Sequence, residues 1–480
     1  MPLAVCLDTG RDMRRLTALD VLYATKGMLL QGGTAVSFDR TAIDSRAAKE
    51  GDLFLCLKGE RFDGHDFVSE ALAKGVSGIL VRKGWWSEQA GRNLFTPAVV
   101  IEADDTLTAL GDIASFWRRA NPAQVVAITG SSGKTTTKEM TAGILAKCFN
   151  VAKTMGNFNN LVGLPLSLLA VKPTDKVAVL EMGMNRLGEI ERLAQIARPD
   201  IGVITNVQMA HLEGLKTIEG VARAKGELYA ALDEEDLAVF NVDDPHVSNL
   251  ARKCRARKLG FGLGPGAEVT AREIISRPEG MLNFSLVSRE GTAQVTLQTP
   301  ARHNITNALA ASAVALAMGV DIKTIKEALE EFRPAANRLE LIKLPQGITI
   351  INDTYNANPG SMRAALETLK EIKGGRPGIA VLGDMLELGE QTVEAHRSIG
   401  RYIAGLGIEY LIVMGEFAPA LITEGAIAGG MDKGRILTAS SHEEAVRILR
   451  QKTSGHDFVL VKGSRRMRME EIVKGLRGET

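Results

Sequence analysis

The run TGSSGKTTT at 129–137 sets two glycines, a lysine and a hydroxyl at a spacing suited to holding a chain of phosphates. Gly130 and Gly133 carry no Cβ, so the backbone can fold closely around an anion. QVVAIT (124–129), before the turn, reads as a buried strand, and TTTKEMTAGILAKCF (135–149), after it, as a helix. A helix beginning there aims unpaired N–H groups at the ligand. Lys134 can reach the outer phosphates and the Thr135 hydroxyl can ligate Mg²⁺. Gly130, Ser131, Ser132, Gly133, Lys134, Thr135 and Thr136 are therefore expected to bind a nucleoside triphosphate. Ile128 stands where the common motif has its first glycine, so the loop is a short G-x-x-G-K-T variant.

A bound triphosphate brings a cation, and Mg²⁺ takes oxygen ligands. Glu181 lies at the end of the apolar run KVAVLEM (176–182), and His211 follows DIGVITNV (200–207) by a few residues. Both then reach the carboxyl edge of the sheet, where open α/β folds bind ligands. A solvated strand end and a satisfied loop histidine are the plain alternatives. Lys225 sits on a helical stripe with Ile218, Val221, Leu228 and Leu232, where the pattern asks for an apolar side chain. One reading is a snorkelling lysine. The other is a buried amine of lowered pKa that adds CO₂, giving a carbamate ligand for a second Mg²⁺.

The elements that must position these groups fall into three blocks. The chain has 480 residues, which at ~150 per domain suggests two to four domains. Residues 1–104 mix short apolar runs, DLFLCL (52–57) and GVSGILV (75–81), with glycines, and a helix over 103–122 stops at Asn121-Pro122. Residues 105–333 alternate strand and helix, as a parallel sheet requires. Within that block, short alternating strands over 259–299 predict an antiparallel appendage, and helices follow at 304–318 and 321–332. FRPAANRLE (332–340) reads as a hinge. Residues 334–480 carry GITIIND, GIAVLGD, YLIVMG, GRILTA and DFVLVKG, five parallel strands of a Rossmann-like domain.

Composition narrows the partners. Lys plus Arg is 58 and Asp plus Glu is 57, so there is no bulk field for a polyanion and no nucleic-acid partner is expected. The cysteines at 6, 56, 148 and 254 form no C-x-x-C pair, which argues against zinc and a disulfide framework. The first residues lack an apolar signal core, and no apolar run reaches the ~18 residues of a membrane span. A cytoplasmic monomer is expected.

In order, TGSSGKTTTKE (129–139), GNFNNLVGLP (156–165), LEMGMNRLGEI (180–190), ITNVQMAHLEG (204–214), ARAKGELY (222–229), NITNALAA (304–311), NRLE (337–340), NDTYNANP (352–359) and LGDMLELG (382–389) resemble the Mur ligases. These are ATP-dependent amide-forming enzymes of peptidoglycan precursor synthesis, and so serve cell-wall biogenesis, cell shape and division. The likeness spans essentially the whole chain. The last two motifs resemble the branch that adds D-alanyl-D-alanine to UDP-N-acetylmuramoyl-tripeptide. The resemblance implies an α/β protein of three domains: an N-terminal α/β substrate domain, a central P-loop parallel-sheet domain and a C-terminal Rossmann-like domain. It implies ATP and Mg²⁺, with Thr135, Glu181, His211 and a carbamylated Lys225 as the metal shell.

By the same resemblance Asn304 contacts adenine, Arg338 phosphate and Asp353 ribose. Ser45 and Arg46, within DSR (44–46), together with KGERFDGHDF (58–67), hold the UDP end. Asn157, Asn159, Asn160, Asn356 and Asn358 contact substrate. Asp44 as a turn cap, the 58–67 loop as a solvated turn and the asparagines at 157–160 as turn formers remain the alternatives. The implied chemistry passes through an acyl phosphate, with Lys134, Lys225, His211 and Arg338 as catalytic groups. Rival readings are a P-loop motor or transport ATPase, which would carry a strand-end Asp, a nucleotide-binding module without turnover, and a ligase for another amino acid, folylpolyglutamate type included.

Overall fold

The computed structural model describes residues 15–89, 96–277 and 280–479. The readings that rest on Cys6 and on the absence of a signal core lie outside them. Two compact units emerge. One holds the chain up to Val125 with Asn150–Leu180 and Arg192–Arg198, and the other holds Val126–Phe149, Glu181–Glu191 and everything from Pro199 onward. Among the described residues no helix is long and apolar enough to cross a membrane.

In the first unit a five-stranded sheet runs in the order Met28–Gln31, Val99–Ala103, Gly78–Arg82, Leu53–Leu55, Thr41–Ala42. Only the first strand is antiparallel to its neighbour. Leu53, Phe54 and Leu55 are wholly buried, as a parallel strand covered on both faces demands. The helix Thr106–Ala120 starts where Asp105 accepts the Thr108 N–H at 2.7 Å and ends at Asn121, just before Pro122.

A six-stranded sheet runs Arg257–Phe261, Leu237–Asn241, Ile201–Ile204, Gln124–Thr129, Val177–Glu181, Val151–Lys153. From Gln124–Thr129 the chain goes out to Val151–Lys153, returns beside itself, then builds the other half. That reversal is a topological switch point, and open α/β sheets bind ligands at the carboxyl ends of strands beside such points. The antiparallel appendage is smaller than expected. Arg257–Phe261 joins the parallel sheet beside Leu237–Asn241, and only Thr270–Arg277, Met281–Ser288 and Gly291–Leu297 form the three-stranded piece. Arg257–Phe261 is an edge strand whose first two residues are exposed, which shortened its apolar signature.

The last sheet runs Glu340–Lys343, Thr349–Asp353, Phe458–Lys462, Gly378–Leu382, Tyr410–Val413, Ile436–Thr438. Five strands are parallel, as expected. Glu340–Lys343 is an antiparallel edge that the hinge reading did not foresee, because ELIK is half-buried and short. The final strand inserts between the first two of the parallel set, unlike the dinucleotide-binding order, and brings Lys462 into register with Asp353.

Candidate active site

The strand Gln124–Thr129 ends in a buried threonine whose hydroxyl donates to the Met182 carbonyl at 2.8 Å. The next residue, Gly130, has φ +153°, and a Cβ there would stand 1.9 Å from Thr205 Oγ1. Gly133 has φ +83°, and its Cβ would stand 2.3 Å from Asn307 Oδ1. Space excludes a side chain at the first, and both space and the left-handed conformation exclude it at the second. The loop is braced from behind. Ser131 N–H donates to the Asn206 carbonyl at 3.0 Å, and Ser132 N–H to Asn206 Oδ1 at 2.9 Å. The Ser131 hydroxyl donates to the Gln208 carbonyl at 3.0 Å. Lys134–Leu145 then begins with no side-chain cap, so its first-turn N–H groups face the mouth of the loop.

Charge gathers at that mouth. Lys134 Nζ donates to the Gly130 carbonyl at 2.9 Å. Desolvation pushes its pKa down, Glu181 opposes that, and Arg338 adds to it. The Thr135 hydroxyl donates to Glu181 Oε2 at 2.8 Å and accepts from Arg338 Nη2 at 3.1 Å. Lys225 lies on Ile218–Ala230 between the fully buried Val221 and Leu228 and is itself 2% exposed. Burial, then the charge of Lys134, hold its pKa well below the usual range. Arg338 thus lowers the pKa of Lys134, and Lys134 that of Lys225; cations gathered beside Thr135 and Glu181 suit a polyphosphate with its Mg²⁺.

The four expected metal-shell residues come together in part. Thr135 and Glu181 touch, and Lys225 feels Lys134. His211, with φ +55° at the start of Leu212–Leu215, instead has Nδ1 3.0 Å from Glu387 Oε2. That contact holds the Glu387 carboxyl below its ordinary range. Among the described residues no group of three or more His, Cys, Asp and Glu side chains could hold a metal ion.

Asn304 and Asp353, which the resemblance gives to adenine and ribose, have these protein partners. Asn304 is buried, donating to Thr299 Oγ1 at 3.0 Å and accepting from Asn307 Nδ2 at 2.9 Å. Asn307 in turn accepts from Thr137 Oγ1 at 3.3 Å. Asn304 thus braces the wall behind Gly133. Asp353 Oδ2 lies 2.5 Å from Lys462 Nζ, and Oδ1 accepts the Leu339 N–H at 3.2 Å. Both are drawn inward because their nearest donors are buried protein groups.

The Arg338 guanidinium lies 3.9 Å from the centroid of the Tyr355 ring. Asn356 offers its carbonyl to Lys462 at 2.9 Å. Asn358 caps Pro359–Lys373 through the Ser361 N–H and reaches Ser132 Oγ at 3.5 Å.

In the first unit, Ser45 donates to Glu70 Oε2 at 2.9 Å. Asp44 accepts the Arg46 N–H at 3.0 Å, and its pairing with the exposed Arg46 guanidinium pushes the carboxyl down to about 2. Asp63 caps Gly64–Phe67. Asn160 accepts the Gly163 N–H at 2.9 Å, and Asn159 N–H donates to the Asn157 carbonyl at 2.7 Å. Asp44, Asp63 and Asn160 therefore do the turn-capping work of the plainer reading. Sequence reasoning assigned no role to Gln208, Asn307, Tyr355, Glu387 or Lys462. The first four lie inside the quoted motifs, and Lys462 closes the apolar strand FVLVK, so each had a signal.

A parallel sheet with a glycine-bounded GKT turn at its switch point, lined by lysines and a strand-end glutamate, defines a nucleotide-binding protein of the P-loop class. Family profiles narrow this. The Mur ligase middle domain matches residues 128–315, the Mur ligase glutamate ligase domain 337–465, and the Mur ligase family catalytic domain 38–118. The UDP-N-acetylmuramoyl-tripeptide--D-alanyl-D-alanine ligase of Escherichia coli is 37% identical over 92% of this chain and 95% of its own. A crystal structure of MurF from Acinetobacter baumannii matches with a TM-score of 0.87 at 33% identity, covering 97% and 99%. MurF from Thermotoga maritima in complex with ADP matches at 0.80 and 30%, covering 92% and 97%. The chain belongs to the Mur ligase family.

Proposed function

We propose that this chain is an ATP-dependent, ADP-forming ligase that joins D-alanyl-D-alanine to UDP-N-acetylmuramoyl-tripeptide in peptidoglycan precursor synthesis. The observation that carries the reading is Thr135, bonded at once to Glu181 and Arg338 beside Lys134 at the mouth of the loop. The named relatives, similar along nearly the whole chain, support the choice of substrates.

A carboxylate does not condense with an amine unless its oxygen becomes a leaving group. Transfer of the terminal phosphoryl group of ATP to the tripeptide carboxylate supplies one and releases ADP. The dipeptide amine then attacks the acyl carbon, and phosphate departs. Both partners of the first step are anions. Lys134 and the first-turn N–H groups hold the phosphates, and Arg338, bonded to Thr135, offsets charge beside them. Mg²⁺ would be held by Thr135 and Glu181, with His211 and a carbamylated Lys225 as further ligands, and would supply additional charge neutralisation. The resemblance alone assigns Asn304 and Asp353 to the nucleoside; here both bond inward. Ser45 and Arg46 serve the UDP end, and Asn157, Asn159, Asn160, Asn356 and Asn358 contact substrate.

Blocks 1–104, 105–333 and 334–480 divide these tasks, and closure about 332–340 would keep water from the acyl phosphate. Use of ATP and nucleotide-linked precursors favours the cytoplasm as the compartment.

The test is phosphate release with UDP-N-acetylmuramoyl-tripeptide and a panel of amino acids and dipeptides. D-Alanyl-D-alanine should give the highest turnover, and Lys134→Ala should lower kcat at least ~100-fold. Ligation largely retained in Lys134→Ala would overturn the assignment.

A further inference from the structure

We propose that Lys462 is a positioning residue for this reaction, acting through Asp353 on the turn that aims Arg338 at Thr135. The inference rests on the ligase reading and adds a residue that its mechanism does not use.

Arg338 stands between two residues in the left-handed region, Asn337 at φ +65° and Leu339 at φ +50°. Non-glycine residues hold that conformation only when their surroundings over-determine it. Leu339 N–H donates to Asp353 Oδ1 at 3.2 Å, Tyr355 N–H to the Asn337 carbonyl at 3.1 Å, and Asn352 Nδ2 to Asn337 Oδ1 at 2.9 Å. The Tyr355 ring lies under the guanidinium.

Asp353 is the tie that itself needs holding. It is 9% exposed, and its partner is Lys462, 2% exposed, whose Nζ also donates to the Asn356 carbonyl at 2.9 Å. Strand register sets Lys462 opposite Asp353, so the pair is built into the insertion of Phe458–Lys462 between its neighbours. Without Lys462, Asp353 becomes a buried carboxylate lacking its cation. It must then reorient or draw in water, and the Leu339 N–H loses its acceptor. The turn relaxes, and Arg338 no longer meets Thr135. Lys462 is one bond removed from that turn and acts by orientation.

The experiment compares full-length Lys462→Met, Arg338→Ala and the double variant in the ADP-release assay. Lys462→Met should lower kcat by about 100-fold, the scale of a misplaced catalytic group, with KM for the tripeptide unchanged. In the Arg338→Ala background the same change should cost less than about 2-fold, because the group it positions is gone. Equal losses in both backgrounds, or a wild-type kcat in Lys462→Met, would overturn the proposal. Should Lys462→Met fail to fold by circular dichroism, Asn352→Ala keeps the ion pair and loosens the same turn. It is expected to show the same non-additivity, and additive losses would count against the proposal. A wild-type protein inactive with every acceptor would sink the ligase reading alone. The cycle would then be read in affinity for a fluorescent ATP analogue, where Lys462→Met must weaken binding only when Arg338 is present.

Discussion

At the residue scale the site depends on side chains that are absent and on charges that crowd one another. Gly133→Ala adds a Cβ 2.3 Å from Asn307 Oδ1 at a left-handed φ. Asn307 or the loop must shift, and the loop takes on left-handed strain, so affinity for a fluorescent ATP analogue should fall by at least ~10-fold, on the scale set by strain at special backbone positions. Unchanged binding would mean that the loop is not the cradle. Lys225 makes a different prediction. Its amine is buried and kept toward the neutral form, the form that adds CO₂. Lys225→Ala should lose most activity and regain part of it with short carboxylic acids such as formate. Full activity in the plain variant would remove the carbamate from the mechanism. The short spacing of G-x-x-G-K-T made the first of these legible in sequence, and the interrupted apolar stripe pointed to the second.

At the element scale one histidine ties the loop carrying Glu387 to its helix. His396 lies fully buried on Thr392–Ala404, with Nδ1 2.7 Å from the Thr392 carbonyl and Nε2 accepting the Met385 N–H at 3.0 Å. The donor at Met385 assigns the proton to Nδ1, so the ring is neutral when folded. Burial lowers its pKa, with the Thr392 carbonyl and Asp384 opposing. The unfolded chain therefore takes up this proton first as pH falls from about 6.5. Stability from this position is complete above that value and is lost as pH drops toward the folded pKa. His396→Gln, which can still accept from Met385, should flatten the slope of urea-unfolding stability below about pH 6.5. An unaltered slope would assign it to other groups. Elements with continuous apolar runs, such as Gln124–Thr129 and Phe458–Lys462, were readable because both faces are covered. Glu340–Lys343 and Arg257–Phe261 were not, because an edge strand buries too little to leave a period.

At the scale of the whole molecule, every described contact of the phosphate loop lies in the unit that also holds the last sheet. Bound nucleotide should therefore protect backbone amides of 126–149 and 337–353 from hydrogen exchange. At 100-fold excess over Kd it adds about 2.7 kcal/mol to that unit. The five-stranded sheet between Met28 and Ala103 should gain little. Equal protection there would show that the nucleotide is coupled to both units.

By itself the sequence determined the phosphate loop, the alternation of strand and helix, and membership of a family whose motifs recur in order. Each of these depends on neighbours a few residues apart, where backbone geometry and period suffice. Tertiary structure alone decided the partners: Arg338 with Thr135, His211 with Glu387, and Lys462 with Asp353, each more than a hundred residues apart. A buried polar group bonds to whichever donor packing brings within reach. Asp353 and Asn304 bond inward for that reason, and strand order, which no local pattern encodes, sets those neighbours.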